Sequence, residues 1–354
     1  VKDILAQLVE GQALSSEQAV DAFEKIMSGQ SQPTQTAALL AMIQMRGATV
    51  DELVGAATVM RSKAAKVAVP AGLTAIDTCG TGGDHAGTFN ISTASAIVAA
   101  GAGRPLGLCV AKHGNKSVTS KSGSSQVLDT LGVRLGVDTD TLTRCLDQAG
   151  ICFCFAPAHH PAMKHAGPVR ADLGFRTLFN LVGPLTNPAG APRQVVGVFS
   201  PKLTEVIASV LNRLGSIHAM VVHGQIPDAD AGHNDALDEL STCGPSRVST
   251  VRDGKVTTTE LDATDLGLSL GHPSALRVDG PQQSAKVITD ILTGKQGAPR
   301  EIVALNAAAA LTVGGVAADL SEGLNMAFDA IDNGKARAAL DALIELTNTA
   351  PASA

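Results

Sequence analysis

The chain has 354 residues, 45% of them apolar and 17% charged, the balance of a globular protein rather than a disordered one. Its 27 Lys and Arg against 33 Asp and Glu give a net charge of −6, and it has no Trp or Tyr; the basic face and the stacking aromatics that nucleic-acid binding relies on are both missing. No apolar run approaches the roughly 18 residues that span a bilayer, and Val1-Lys2-Asp3-Ile4 lacks the apolar core of a secretory signal, so neither membrane nor nucleic acid is an expected partner.

The length exceeds what one small core usually holds, which predicts two lobes. The first sixty-odd residues carry helical patterns alone. Ser15-x-x-Gln18 fits a capping box ahead of Ala19, Phe23, Ile26 and Met27 on one stripe. Pro33 suits the first turn of a second helix that ends at Gly47, and Thr49-x-x-Glu52 caps a third. Residues 64–74, with Pro70 and Gly72, read as a linker.

From residue 75 the pattern becomes strand, loop, helix. Ala75–Cys79 is a predicted strand, followed by a Gly-rich loop and a small-residue helix from Ser92 to Ala102. Leu108–Ala111 is a second strand, with a polar loop and a helix near Ser125–Leu131 after it. Further strands are predicted at Ile151–Phe155, Val195–Phe199 and Ala219–Val222, with a helix over Pro201–Leu214. Strands alternating with helices imply a mostly parallel sheet. Residues 160–183 read as helical, cut by Pro168, and are expected to pack back onto the N-terminal helices. Two Thr/Val-rich strands around Asp253-Gly254 form a predicted hairpin, and Ala-rich helices close the chain. The expected architecture is a small all-helical domain, 1–68 joined by about 160–188, and a larger α/β domain, 74–159 and 189–350. The six cysteines include no C-x₂-C pair, and Cys152-Phe153-Cys154 alternates as a buried strand does. Buried free thiols in a reducing compartment, the cytoplasm, are therefore expected rather than a zinc site.

Four segments carry chemistry. Gly80-Thr81-Gly82-Gly83-Asp84 directly follows a predicted strand, and its glycines let backbone N–H groups close on an anion. Asn90-Ile91-Ser92-Thr93 opens the next helix, whose positive end suits a phosphate. The loop is neither a Walker A motif nor G-x-G-x-x-G, and on its own it reads equally as a tight turn. Lys112-His113-Gly114-Asn115-Lys116-Ser117-Val118-Thr119-Ser120 follows the neighbouring strand, so both loops face the crevice where open parallel sheets bind ligands. Asp238-Glu239, beyond a third strand, suits Mg²⁺, which takes one or two protein oxygens plus water and substrate phosphates. An ordinary acidic surface pair is the competing reading, with Asp228, Asp230 and Asp235 close by. Arg170, in a helical stretch with an apolar face, offers a fork for a carboxylate, and His159 and His160 precede Pro161.

These segments, in this order, resemble the anthranilate phosphoribosyltransferase family of tryptophan biosynthesis. The matching text is Asp77-Thr78-Cys79 with the GTGGD that follows, Asn90-Ile91-Ser92-Thr93, Lys112-His113-Gly114-Asn115, His160 through His165 to Arg170, Phe179 through Pro188, and Leu237 through Ser241. The resemblance spans nearly the whole chain and implies a nucleoside phosphorylase/phosphoribosyltransferase-like fold, usually paired as a homodimer through the helical domain. It also implies that Gly80, Gly83, Asp84, Thr88, Asn90, Ile91, Ser92 and Thr93 bind phosphoribosyl pyrophosphate. Lys112, His113, Gly114, Asn115, Lys116, Ser117, Val118, Thr119, Ser120 and Ser124 share that task. Ser92, Asp238 and Glu239 serve the Mg²⁺ cofactor, and Asn115 and Arg170, with Gly80, His113 and His160, meet anthranilate. Asn115, Arg170 and Lys112 act by positioning, and no side chain is expected to be an essential general base.

The chain departs from the family pattern twice. The run Ala102–Leu108 is about four residues longer than usual, and Gln225–Ala236 is long and acidic; both read as surface insertions, and the second leaves Asp235 as an alternative metal ligand. A pyrimidine nucleoside phosphorylase shares the architecture, but its Lys-x-Ser-Thr-Gly-Gly loop is absent here. A non-catalytic nucleic-acid-binding relative is the reading from another class, against which the net charge and the intact Asp238-Glu239 stand.

Overall fold

The computed structural model describes residues 1–115, 122–227 and 236–349. Four helices come first: α1 (Lys2–Val9), α2 (Ser16–Met27), α3 (Pro33–Arg46) and α4 (Val50–Lys63). The capping boxes at Ser15/Gln18 and Thr49/Glu52 form as the sequence predicts, and Gly47 ends α3. The α/β part then runs β1 (Thr74–Gly80), α5 (Ile91–Gly103), β2 (Leu108–Gly114), α6 (Ser124–Thr130), α7 (Thr139–Gln148) and β3 (Ile151–Phe155). After short helices α8 (Ala156–His159), α9 (Gly167–Leu173) and α10 (Phe179–Val182) come β4 (Arg193–Gly197), α11 (Leu203–Arg213), β5 (His218–Gln225) and β6 (Ala236–Leu237). The hairpin β7 (Ser246–Arg252) and β8 (Lys255–Leu261) and helices α12 (Pro281–Leu292), α13 (Ala298–Gly314), α14 (Leu320–Asp332) and α15 (Lys335–Asn348) complete the chain.

The sheet order is β3-β2-β1-β4-β5-β7-β8, with β6 also on β5. The first five are parallel and the rest antiparallel. Because strand side chains alternate between faces, the sheet feeds two apolar cores. Ala75, Ile76, Val195, Met220 and Val222 join the Ala-rich α5 and α13 on one side. Cys79, Val196, Val198, Ala219 and Val221 join α11 and the four N-terminal helices on the other.

Residues 160–185 lie in this second core. Ala166, Leu178, Phe179, Val182 and Leu185 are buried there, and the Phe179 ring meets Phe23 edge-on at 5.7 Å. The stretch is helical, as its sequence suggests, and is cut not only at Pro168 but into several short pieces of one or two turns. Pro157, Pro161, Pro168 and Pro184 each open a turn, and a left-handed Gly174 ends α9. The predicted linker is pinned at both ends of this excursion: the Ala65 N–H donates to the His159 carbonyl at 2.8 Å and the Val67 N–H to the Pro188 carbonyl at 3.2 Å. The run Ala102–Leu108, leading into β2, includes a surface turn in which Pro105 and Leu106 are exposed. Helix α7, capped by Asp138, has no counterpart among the sequence expectations.

Glu52 does more than cap α4. Fully buried, its carboxylate accepts from the N–H groups of Leu14 at 3.1 Å and Thr49 at 2.9 Å and pairs with Arg46, tying the α1–α2 loop to α3 and α4. Leaving Arg46 and two amides without it is costly in a low-dielectric site. Glu52→Ala is expected to lower stability by about 3 kcal/mol in denaturant unfolding; an unchanged midpoint would show that the pair is replaceable by water.

Candidate active site

A cavity of about 670 Å³ opens beyond the carboxyl ends of β1 and β2, where parallel α/β sheets place their ligands. Gly80, Gly83, Asp84, Thr88, Asn90, Ile91 and Ser92 line it, as do Lys112, His113, Gly114, Asn115, Ser124, His160, Arg170, Asp238 and Glu239. The sequence-predicted site thus converges, with two exceptions. Thr93 is not at the cavity wall; its hydroxyl donates to Asn90 Oδ1 at 3.3 Å from behind. Lys116, Ser117, Val118, Thr119 and Ser120 lie outside the described residues, as do Asp228, Asp230 and Asp235.

The acidic pair is built by a close crossing of backbones. Asp238-Glu239 passes over the ends of β1, β4 and β5, and at each end the strand carries a glycine. A methyl group on Gly197 would sit 1.5 Å from the Asp238 carbonyl oxygen; on Gly80 it would sit 2.3 Å from Asp238 Oδ2, and on Gly224 2.6 Å from the Glu239 carbonyl. Only strand ends without Cβ atoms let the pair lie this low. Sequence reading valued Gly80 and passed over Gly197 and Gly224, because the crossing segment is some forty residues from one and over a dozen from the other.

Backbone donors then aim the carboxylates. The Gly82 N–H donates to Asp238 Oδ2 at 2.7 Å, and the Ser92 N–H donates to Glu239 Oε1 at 3.0 Å. The N-terminus of α5 is therefore capped by Glu239 from another element, while Asn90, the local N-cap residue, turns its amide to the Ser122 carbonyl at 2.8 Å. Asp84 Oδ2 lies 3.4 Å from the Asp238 N–H. Crowding by protein atoms holds the Asp238 carboxyl well above the ordinary range, with Asp84 and Glu239 adding to it. The same desolvation pushes Glu239 up to about 7 against the pull of Lys112. Among the described residues, no three His, Cys, Asp or Glu side chains converge into a ready cage. Two adjacent carboxylates, both raised by desolvation and lining one cavity, fit Mg²⁺, a hard cation that keeps water and substrate oxygens in its shell.

Lys112 does not reach into the loop that follows it. Its buried Nζ donates to the Thr78 carbonyl at 2.6 Å and to Ser92 Oγ at 3.2 Å, placing a cation behind Glu239. Burial lowers its pKa, and Asp77 and Glu239 oppose that. Asp77 is itself fully buried and accepts the His113 N–H at 3.0 Å. His113 and His160 meet Nε2 to Nε2 at 3.2 Å. Burial and the neighbouring ring drive His113 down to about 3, and burial drives His160 down to about 4, so both are neutral imidazoles at pH 7. His159 turns away, its Nδ1 2.9 Å from the Ala65 carbonyl.

Two arginines also line the cavity. Arg170, half-buried, lies over the Phe179 ring at 5.3 Å with an Nη 3.5 Å from Asn180 Oδ1. Arg176, which the sequence did not single out, stacks on Phe199 at 4.4 Å and donates to the Gly83 carbonyl at 3.1 Å. No local pattern marks it, because Phe199 and Gly83 are distant in sequence.

The same two-part architecture occurs in known proteins. Residues 2–64 match the glycosyl transferase family, helical bundle domain, and residues 72–337 the glycosyl transferase family, a/b domain. The anthranilate phosphoribosyltransferase of Methylobacterium nodulans is 45% identical over 347 residues, covering 98% of both chains. The Thermus thermophilus anthranilate phosphoribosyltransferase structure superposes with a TM-score of 0.87 at 35% identity, over 98% of this chain and 99% of that one. The Saccharomyces cerevisiae enzyme in complex with PRPP and Mg gives 0.85 at 26% identity, over 98% and 97%. The chain belongs to the anthranilate phosphoribosyltransferase family.

Proposed function

We propose that this chain transfers the 5-phosphoribosyl group of phosphoribosyl pyrophosphate to the amine of anthranilate, releasing diphosphate, with Mg²⁺ as cofactor, in tryptophan biosynthesis. The observation that carries the reading is one cavity lined by a carboxylate pair, a helix N-terminus and Arg170 together. Neither inorganic phosphate with a nucleoside nor a nucleic acid calls for that combination. In this reading Asp238 and Glu239, with Ser92, hold the metal, and the 80–84 and 88–92 backbone holds the donor's phosphates. Lys116 to Ser120 share the donor on the strength of the family resemblance. Arg170 and Asn115 take the anthranilate carboxylate, and Gly80, His113 and His160 border its ring.

The bond between C1′ and the diphosphate oxygen breaks as the amine nitrogen bonds to C1′, and the amine proton leaves to solvent or product. Bound Mg²⁺ offsets the charge that develops on the departing diphosphate. The residues' part is to hold two substrates in line, an effect that can supply several kcal/mol. An arylamine is neutral at pH 7 and needs no strong base, and the neutral His113–His160 pair presents an uncharged wall. The same reading makes 1–68 with 160–188 the helical domain, through which two copies pair; Val9 on α1 and Met45 on α3 are exposed apolar residues on its surface. The six free cysteines favour a reducing compartment, the cytoplasm. Among the described residues no helix is long and apolar enough to cross a membrane.

The direct test is the loss of anthranilate fluorescence on mixing with phosphoribosyl pyrophosphate and Mg²⁺: a decay that EDTA abolishes is expected, and folded protein without decay would refute the reading. Arg170→Ala should raise the KM for anthranilate about 10- to 100-fold, the value of a lost charged hydrogen bond, with the donor KM unchanged; equal losses for both substrates would assign Arg170 elsewhere. Gly197→Ala, which forces the Asp238 carbonyl away, should lower kcat by more than about 100-fold, as small misplacements do. A folded Gly197→Ala variant of ordinary kcat would mean that the crossing can shift freely. Because Glu239 holds its proton up to about 7, metal must displace that proton at lower pH. The Mg²⁺ concentration for half-maximal rate should therefore rise as pH falls below about 7, and level off above it. A flat profile between about pH 6 and pH 8 would remove Glu239 from the metal site.

A further inference from the structure

Helix α13 is apolar from Ile302 to Val313 except for Asn306 and Thr312. An amide in the middle of such a helix is a poor helix former and must find partners once buried. Asn306 is 3% exposed, and it finds two of its three outside the helix. Its Oδ1 accepts the Leu240 N–H at 2.9 Å, and its Nδ2 donates to the Leu240 carbonyl at 2.9 Å and to the Ile302 carbonyl at 2.9 Å. One side chain thus meets both backbone groups of one residue, as a neighbouring strand would. Leu240 immediately follows Glu239 and is itself fully buried. It lies just past the two-residue strand β6, where the sheet ladder no longer fixes the chain.

We propose that Asn306 is a positioning residue for the metal-binding carboxylates: it sets the height and register at which Asp238-Glu239 crosses the strand ends. The glycines at the strand ends remove obstacles but exert no pull, and the amides of Gly82 and Ser92 grip only the carboxylate oxygens. Asn306 holds the main chain between the carboxylates and the large α/β core. Partners of this kind, one step behind a metal ligand, typically change metal affinity 10- to 100-fold when removed. The proposal rests on the reading that Asp238 and Glu239 hold the cation.

The test is a Mn²⁺ titration of the full chain followed by electron paramagnetic resonance, with phosphoribosyl pyrophosphate present and no acceptor, well below the unfolding temperature. Asn306→Ala and Asn306→Thr are expected to weaken Mn²⁺ binding by about 10-fold or more, and to leave the KM for anthranilate within about twofold. Asn306→Thr guards against misfolding. Thr312 on the same helix already donates its hydroxyl to the Ala308 carbonyl at 2.8 Å, and a threonine at 306 can do the same to Ile302 without reaching Leu240. Asn306→Asp should restore binding to within about threefold, since a buried, protonated carboxyl both accepts from the Leu240 N–H and donates to its carbonyl. Folded Ala or Thr variants that bind Mn²⁺ as the parent does, while Glu239→Gln loses it, would overturn the role of Asn306 and leave the metal site standing. Parental Mn²⁺ binding in Glu239→Gln and Asp238→Asn would overturn the metal assignment and the proposal with it. Lower melting temperatures with unchanged Mn²⁺ affinity would reduce Asn306 to a packing residue.

Discussion

Two carboxylates held side by side, largely out of water, repel one another and resist ionisation. Asp238 and Glu239 are in that condition, with Asp84 adding to it, and much of the α/β domain can be understood as the means of keeping them there. Three strands end in or beside glycine so that the pair can lie across them. Helix α5 begins where its free amide faces Glu239. Lys112 is buried behind the pair rather than extended into solvent. Each arrangement lowers the cost of the acidic cluster without neutralising it, which leaves room for a divalent cation to contribute the remainder.

The apolar framework follows from the same need for closeness. Helices α5 and α13 are rich in alanine and glycine, and nearly every residue of each is buried, so they can pack tightly on the sheet and on each other. Tight packing lets a side chain as short as asparagine reach from α13 to the backbone at Leu240. On the other face, α11 and the N-terminal helices share one core with residues 166–185. The segment bearing Arg170 and Arg176 is therefore anchored on the bundle, while the acidic pair is anchored on the sheet. Arg61, at the end of α4, joins the two by donating to the carbonyls of Leu185 at 2.6 Å and Leu214 at 3.3 Å.

Most of the strands, the capped helices and the two ligand-facing loops were legible in the sequence because their determinants are local: alternation, a capping residue, a glycine after an apolar run. Ser15/Gln18, Thr49/Glu52 and Asp253-Gly254 each specify a structure within four residues. The region 160–183 is helical as its apolar spacing indicates, but its prolines and glycines break it more often than the spacing shows, into pieces of one or two turns. Helix α7 went unseen because its polar face dominates a ten-residue stretch with few apolar positions. What the sequence could not display was partnership at a distance. The Gly197 contact with Asp238, the Arg176 stack on Phe199 and the Asn306 hold on Leu240 each join residues at least 23 positions apart.

The division of charge across the cavity argues for a division of labour. A donor carrying a diphosphate arrives with several negative charges and is held where amides and a cation can gather around it; an arylcarboxylate carries one and needs one guanidinium. Arg170 and Arg176 line the same cavity as the acidic pair, each with its guanidinium over an aromatic ring, which fixes its plane for a planar partner. Arg176 differs in also donating to the Gly83 carbonyl, so it touches the Gly-rich loop whose Gly82 amide holds Asp238. In the same cavity His113 is kept neutral by burial and by the His160 ring, and His160 by burial, so the pair adds no charge to a site that already holds both signs. If the transfer needs no residue to take a proton, as proposed, the demand on the fold is to hold these groups in place, and the core that the sheet shares with the N-terminal helices does so.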